Sequence, residues 1–216
     1  MPIILPSMLC ADPMHMARDI AELQDAGAQM LHVDVMDGHF VPNLAIGFHV
    51  IEAMAKITAL PLDVHLMLSD PGAYIPKMKG LCAAISFHYE AVSFPIKLLN
   101  TIKDMGCKAG IAIGPGTDAR ALAPLLPYVD FVLCMTVEPG FAGQSFIRAG
   151  LENLGILRRL REENGYDYLL EVDGSVGVHN AAECAAHGAE WIVAGASCFP
   201  KDKSIKTAFQ GLQAVV

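Results

Sequence analysis

Hydrophobic residues along this chain fall into two alternating patterns. Short apolar runs bounded by glycine, proline and polar residues occupy 3–8, 30–35, 62–66, 83–87, 108–113, 131–135, 168–172 and 191–194. Their continuity, rather than strict alternation, predicts strands covered on both faces. Between them lie longer stretches whose apolar positions recur at helical spacing, as in 148–163. Asp12-Pro13 and Asp70-Pro71 predict helix starts, with aspartate as N-cap and proline at the first helical position. Thr117-Asp118 predicts another. Gly27, Gly80, Gly106, Gly165 and Gly188 stand just before the following strands, where helix C-termini favour a left-handed residue.

Strands alternating with helices imply parallel βαβ units. Eight such units in 216 residues predict one α/β domain over 1–216, a compact (β/α)8 TIM barrel. A doubly wound open sheet fits less well, because no G-x-G-x-x-G follows the first apolar run.

Composition narrows the class. At 53% hydrophobic and 18% charged residues, the chain is too apolar for disorder. No apolar run reaches the roughly 20 residues of a membrane span. The formal net charge of −8 argues against a nucleic-acid surface. The opening residues lack the charged region of a secretory signal, and the six cysteines form no C-x-x-C pair. The expectation is a cytoplasmic protein with reduced thiols, binding neither membrane nor nucleic acid.

Polar residues inside the apolar runs carry the chemistry. His32 and Asp34 are two apart on a strand, so they share a face. Asp63-Val64-His65 and Glu171-Val172-Asp173 repeat the theme. Barrel strands converge at their C-terminal ends, which brings His32, Asp34, His65 and Asp173 to one mouth. His32 and Asp34 alone would pass for a buried structural ion pair. Four such groups in register instead suit one divalent ion per subunit, with Zn²⁺ placed first and Mn²⁺, Fe²⁺ or Co²⁺ open. Both carboxylates could also exchange protons with a substrate.

A second constellation follows the last three strands: Gly140-Phe141-Ala142-Gly143-Gln144-Ser145, Asp173-Gly174-Ser175 and Gly195-Ala196-Ser197. Small residues let backbone N–H groups approach phosphate oxygens, and none of these segments contains Lys or Arg.

Asp34-Val35-Met36-Asp37-Gly38-His39-Phe40-Val41-Pro42-Asn43, Leu62-Asp63-Val64-His65-Leu66-Met67 and Pro139-Gly140-Phe141-Ala142-Gly143-Gln144 resemble signatures of the ribulose-phosphate 3-epimerase family. Pro6-Ser7 and Glu171-Val172-Asp173-Gly174 fit the same pattern, colinear over nearly the whole chain. The resemblance implies a ribulose-phosphate-binding barrel that inverts C3 of a ketose phosphate through a metal-stabilised enediolate. It implies His32, Asp34, His65 and Asp173 as metal ligands, and Asp34 and Asp173 as the acid/base pair on opposite faces of C3. Ser7 and His65 would contact substrate. Gly140, Phe141, Ala142, Gly143, Gly174, Ser175, Gly195 and Ala196 would hold the phosphate, while Met36, Met67 and Met135 would line the space around the enediolate. A homo-oligomer, dimer or hexamer, is also implied.

The chain departs from the family pattern in places. Ser175, Ala142 and Gly195-Ala196-Ser197 stand where Asp-Gly-Gly, Gly-Phe-Gly-Gly and Gly-Ser-Ala are common; Cys10 replaces a serine and Gly114 an asparagine. Cys10, Ala142 and Ser175 look more like the allulose-6-phosphate 3-epimerase branch. The expected reaction interconverts D-ribulose 5-phosphate and D-xylulose 5-phosphate, with D-allulose 6-phosphate to D-fructose 6-phosphate as the alternative. A non-catalytic sugar-phosphate-binding barrel is the alternative of another class. A lyase or decarboxylase would place a lysine beside the carboxylates, and the strand-end motifs contain none. His88 and Glu90 read as rim polarity, and His15, His49, His179 and His187 as surface or packing residues. The segment 139–146 reads as a loop able to close over the mouth.

Overall fold

A computed structural model describes all of residues 1–216. Eight strands are present: β1 (Ile3–Pro6), β2 (Leu31–Met36), β3 (Leu62–Met67), β4 (Ala84–His88), β5 (Lys108–Ile113), β6 (Phe131–Met135), β7 (Leu169–Asp173) and β8 (Trp191–Ala194). All pairings are parallel, in the order β1-β8-β7-β6-β5-β4-β3-β2. A single parallel bridge between Ser7 and His32 joins the two ends and closes the barrel. Six helices lie outside it: α1 (Met16–Asp25), α2 (Phe48–Ile57), α3 (Pro95–Asp104), α4 (Arg148–Asn164), α5 (Ala181–Ala186) and α6 (Ile205–Gln213).

Against the pattern-based expectation, β2, β4 and β7 start and end one residue later and β3 ends one residue later, while larger differences fall at β1, at α1 and in two crossovers. β1 stops at Pro6, and Met8 enters a short 3₁₀ turn that the Ser7 hydroxyl caps by accepting from the Leu9 amide. Asp12 opens a turn by accepting from the Met14 amide, so α1 begins at Met16 instead. The helices expected after Asp70 and Thr117 are 3₁₀ turns: Pro71–Ala73 and Ile75–Met78 after β3, Ala119–Leu122 and Leu126–Tyr128 after β5. Pro76, Pro124 and Pro127 remove amide donors in those short crossovers, which shortens any helix there. The five glycines expected at strand approaches all take positive φ; Gly165 is a left-handed cap after α4.

Register sorts each strand into two faces. Val33, Val35, Val64, Leu66, Ile85, Phe87, Ile111, Val132, Leu170 and Ile192 face outward and pack with the helices in one continuous core. The opposite faces fill the barrel in layers. Leu5, Met30, Ala84, Phe131, Trp191 and Val193 plug the N-terminal end. Gly110 leaves room for that plug, since a Cβ there would fall 2.2 Å from the Phe131 ring. Above it the interior turns polar, and His32, Asp63, Ser86 and Glu171 are completely buried.

Candidate active site

The pairing of β2 with β3 sets His32 beside Asp63, Asp34 beside His65 and Met36 beside Met67, all on the inner face. Met135 of β6 pairs with Asp173 of β7. The side-chain ligand atoms of His32, Asp34, His65 and Asp173 thereby lie within 4.8 Å of one another. Asp34 is the hub. Its Oδ1 lies 3.4 Å from His32 Nε2 and 3.4 Å from His65 Nδ1, and its Oδ2 accepts a 2.6 Å hydrogen bond from the Ser7 hydroxyl.

His32 Nε2 and His65 Nδ1 are buried and lack any hydrogen-bond partner. Orphaned polar atoms are costly in a protein interior, so two of them aimed at shared carboxylates call for a further group. Two imidazole nitrogens and two carboxylates form a donor set that a divalent ion of the zinc type satisfies. The residues fit such an ion.

Electrostatics separate the two carboxylates. Burial opposes the charge on Asp34, but His32 and the close approach of both imidazoles hold its pKa well below the usual range. Burial and the nearby Asp34 charge push Asp173 the other way. Burial alone would depress His32, yet Asp34 and Asp63 outweigh it and favour the imidazolium. His65 is lowered, chiefly by burial. A second acidic layer supports the first: Asp63 lies 2.6 Å from His32 Nδ1, and Glu171 lies 3.5 Å from the same nitrogen. Burial and Asp63 raise Glu171, whose two oxygens have no hydrogen-bond partner.

Above the cluster opens a cavity of about 410 Å³. Asp34, Asp173, Ser7, Met36, Met67 and Met135 reach its wall, as do Gly140, Phe141, Ala142, Gly143, Gly174, Ser175, Gly195 and Ala196. His32 and His65 do not; both are fully buried beneath the floor, so His65 faces the carboxylates rather than the cavity. Gly174, at φ +125°, packs where a Cβ would meet Val137 at 2.7 Å. Asn43 donates to the Gly140 carbonyl at 2.7 Å and ties the loop after β2 to the loop after β6.

Several polar residues have other places than their sequence positions suggest. His88 is not rim polarity: it is fully buried, its Nε2 lies 2.9 Å from His65 Nε2, and its Nδ1 lies 3.2 Å from Glu90. The i,i+2 spacing from Ser86 to His88 on an inward strand face was the available signal. His179 belongs to a turn before α5, not to a helix, and lines the cavity with Lys203. Lys203 lies in the segment after β8, beyond the glycine loops, which is why a scan confined to those loops misses it. His15 and His49 are exposed and His187 caps α5.

The model of the ribulose-phosphate 3-epimerase family matches residues 3–199. A ribulose-phosphate 3-epimerase of Methanocaldococcus jannaschii is 40% identical over 207 residues, covering 96% of this chain and 88% of that protein. One from Escherichia coli K12 is 44% identical over 200 residues, covering 91% and 88%. Among solved structures, Mycobacterium tuberculosis tryptophan synthase superposes with TM-score 0.72 at 14% identity, covering 100% of this chain and 92% of that one. Thiamine phosphate pyrophosphorylase from Pyrococcus furiosus gives 0.64 at 12%, covering 99% and 94%. At such identities these two share the barrel alone.

Proposed function

The chain belongs to the ribulose-phosphate 3-epimerase family and is an isomerase acting on carbohydrates; from that premise we propose that it interconverts D-ribulose 5-phosphate and D-xylulose 5-phosphate by two-base proton transfer at C3. The observation that carries this reading is the pairing of Asp34 and Asp173 at the floor of one cavity, with environments that drive their proton affinities apart. One carboxylate held charged and another disposed to keep its proton are what removal on one face and delivery on the other require. A base takes the C3 proton to give an enediolate, and the opposite acid returns a proton to the other face. The roles exchange in the reverse direction.

His32, Asp34, His65 and Asp173 would hold a divalent ion, supported by the two orphaned imidazole nitrogens. Such an ion supplies a Lewis acid against the charge that develops on the substrate oxygens. Ser7 orients Asp34 through its 2.6 Å bond. Met36, Met67 and Met135 present polarisable, proton-free surface to the reacting carbons and keep water away. Backbone amides of 140–143, 174–175 and 195–196 would receive the phosphate.

Cys10, Ala142 and Ser175 also line the cavity, which makes D-allulose 6-phosphate the second reading. Turnover in D₂O tests both. D-ribulose 5-phosphate should give D-xylulose 5-phosphate with deuterium at C3, a chelator should abolish the reaction, and kcat/KM should favour the five-carbon sugar. A higher kcat/KM for D-allulose 6-phosphate overturns the five-carbon assignment. Absence of C3 exchange in every ketose phosphate leaves a binding barrel and overturns the enzyme mechanism.

A further inference from the structure

We propose that His88 and Glu90 form a hydrogen-bond relay that fixes the proton of His65 on Nε2 and so keeps the Nδ1 lone pair aimed at Asp34 and the candidate metal position. The relay begins at a donor with no alternative. The Gly114 backbone N–H donates to Glu90 Oε1 at 2.8 Å, and the Thr117 hydroxyl donates to the same oxygen. Glu90 Oε2 faces His88 Nδ1 at 3.2 Å. Three donors hold Glu90 as an acceptor on both oxygens, and its pKa is lowered to about 2: burial works against the charge, but the bonds from His88, Thr117 and Gly114 outweigh it.

The rest follows from counting protons. Glu90 draws the His88 proton to Nδ1. His88 is buried completely, where a neutral ring is favoured, so its Nε2 keeps a lone pair. That nitrogen lies 2.9 Å from His65 Nε2, and two imidazole nitrogens at this distance share one proton. His65 therefore supplies it. A neutral imidazole carries a single N–H, which leaves His65 Nδ1 bare, and that nitrogen has no hydrogen-bond partner. Asp63 performs the matching service at His32 Nδ1, so each imidazole of the site is held from behind.

His88 and Glu90 touch neither substrate nor ion; they are positioning residues that act through His65. The inference rests on the metal-site reading of His65, but its first test does not. Long-range ¹H–¹⁵N spectra of the full chain, labelled at histidine, should show His65 protonated on Nε2 and His88 on Nδ1. His65 protonated on Nδ1, or His88 on Nε2, overturns the relay even if the epimerase reading holds.

The second test uses two variants. In Glu90→Gln the amide oxygen must face the Gly114 N–H, which turns the NH₂ toward His88 Nδ1. His88 then has to accept there and donate from Nε2, and His65 is left with its proton on Nδ1. Glu90→Ala imposes no such reversal. Co²⁺ titration should therefore show affinity weakened by roughly 10–100-fold in Glu90→Gln and by less in Glu90→Ala. The labelled Glu90→Gln chain should show both tautomers reversed. A Glu90→Gln chain with unchanged affinity, or a Glu90→Ala chain weaker than it, overturns the relay. Intended tautomers in a chain that epimerises no ketose phosphate would uphold the relay while removing the proposed reaction.

Discussion

Around Asp34 the two imidazoles outweigh the burial that opposes its charge, while around Asp173, whose ligand atom lies within 4.8 Å of those of the cluster, burial and the Asp34 charge prevail against its own. The Ser7 hydroxyl adds a short bond to a carboxylate that both imidazoles already approach. A hydrogen bond to a charged group contributes about 1.5–3 kcal/mol. Ser7→Ala should therefore lower kcat/KM by at least about tenfold. Unchanged steady-state kinetics would remove Ser7 from the mechanism. The grouping of His32, Asp34, His65 and Asp173 was legible in the sequence because strand periodicity puts His32 with Asp34 on one face and a barrel brings the ends of β2, β3 and β7 to one mouth. The contact between His65 and His88 was not, because it depends on the stagger between β3 and β4, which no local pattern encodes.

The loops at the scale of single elements are tied to one another over the cavity. Asn43 bonds Gly140, and the Ser175 hydroxyl donates to the Gln144 carbonyl, joining the loop after β7 to the loop after β6. Ser175 holds φ +53°, a left-handed conformation that costs a residue with a Cβ but not glycine. Its hydroxyl bond offsets that cost. Ser175→Ala keeps the strain and loses the tie, so its unfolding free energy should fall by about 1–2 kcal/mol in a denaturant titration. Ser175→Gly loses the tie but relieves the strain and should stay closer to the parent. A glycine variant as unstable as the alanine one would show that strain is not part of the balance. The strands were legible almost to the residue, because burial on both faces leaves a continuous apolar signature. The crossovers after β3 and β5 were not, because an N-cap aspartate, followed by Pro71 after Asp70 and by Ala119 after Asp118, opens a 3₁₀ turn as readily as an α-helix.

The whole barrel stacks its interior by chemistry: an apolar plug, a buried acidic layer around His32, then the candidate site beneath the cavity. Buried charges are costly unless paired, and here each imidazole has a carboxylate or a second imidazole behind it. Eight parallel strands supply the rigid frame that holds these partners in place, and the same frame serves the other barrels it superposes on. The proposed reaction rests on two carboxylates, Asp34 and Asp173, at the wall of one cavity. Epimerisation needs both; proton exchange on one face needs only one. The most direct measurement is therefore ¹H NMR of D-ribulose 5-phosphate and D-xylulose 5-phosphate incubated in D₂O with Asp173→Asn. The two-base account predicts loss of the C3 proton from only one of the two epimers, without interconversion. Exchange in both epimers, or interconversion that survives the substitution, would contradict it.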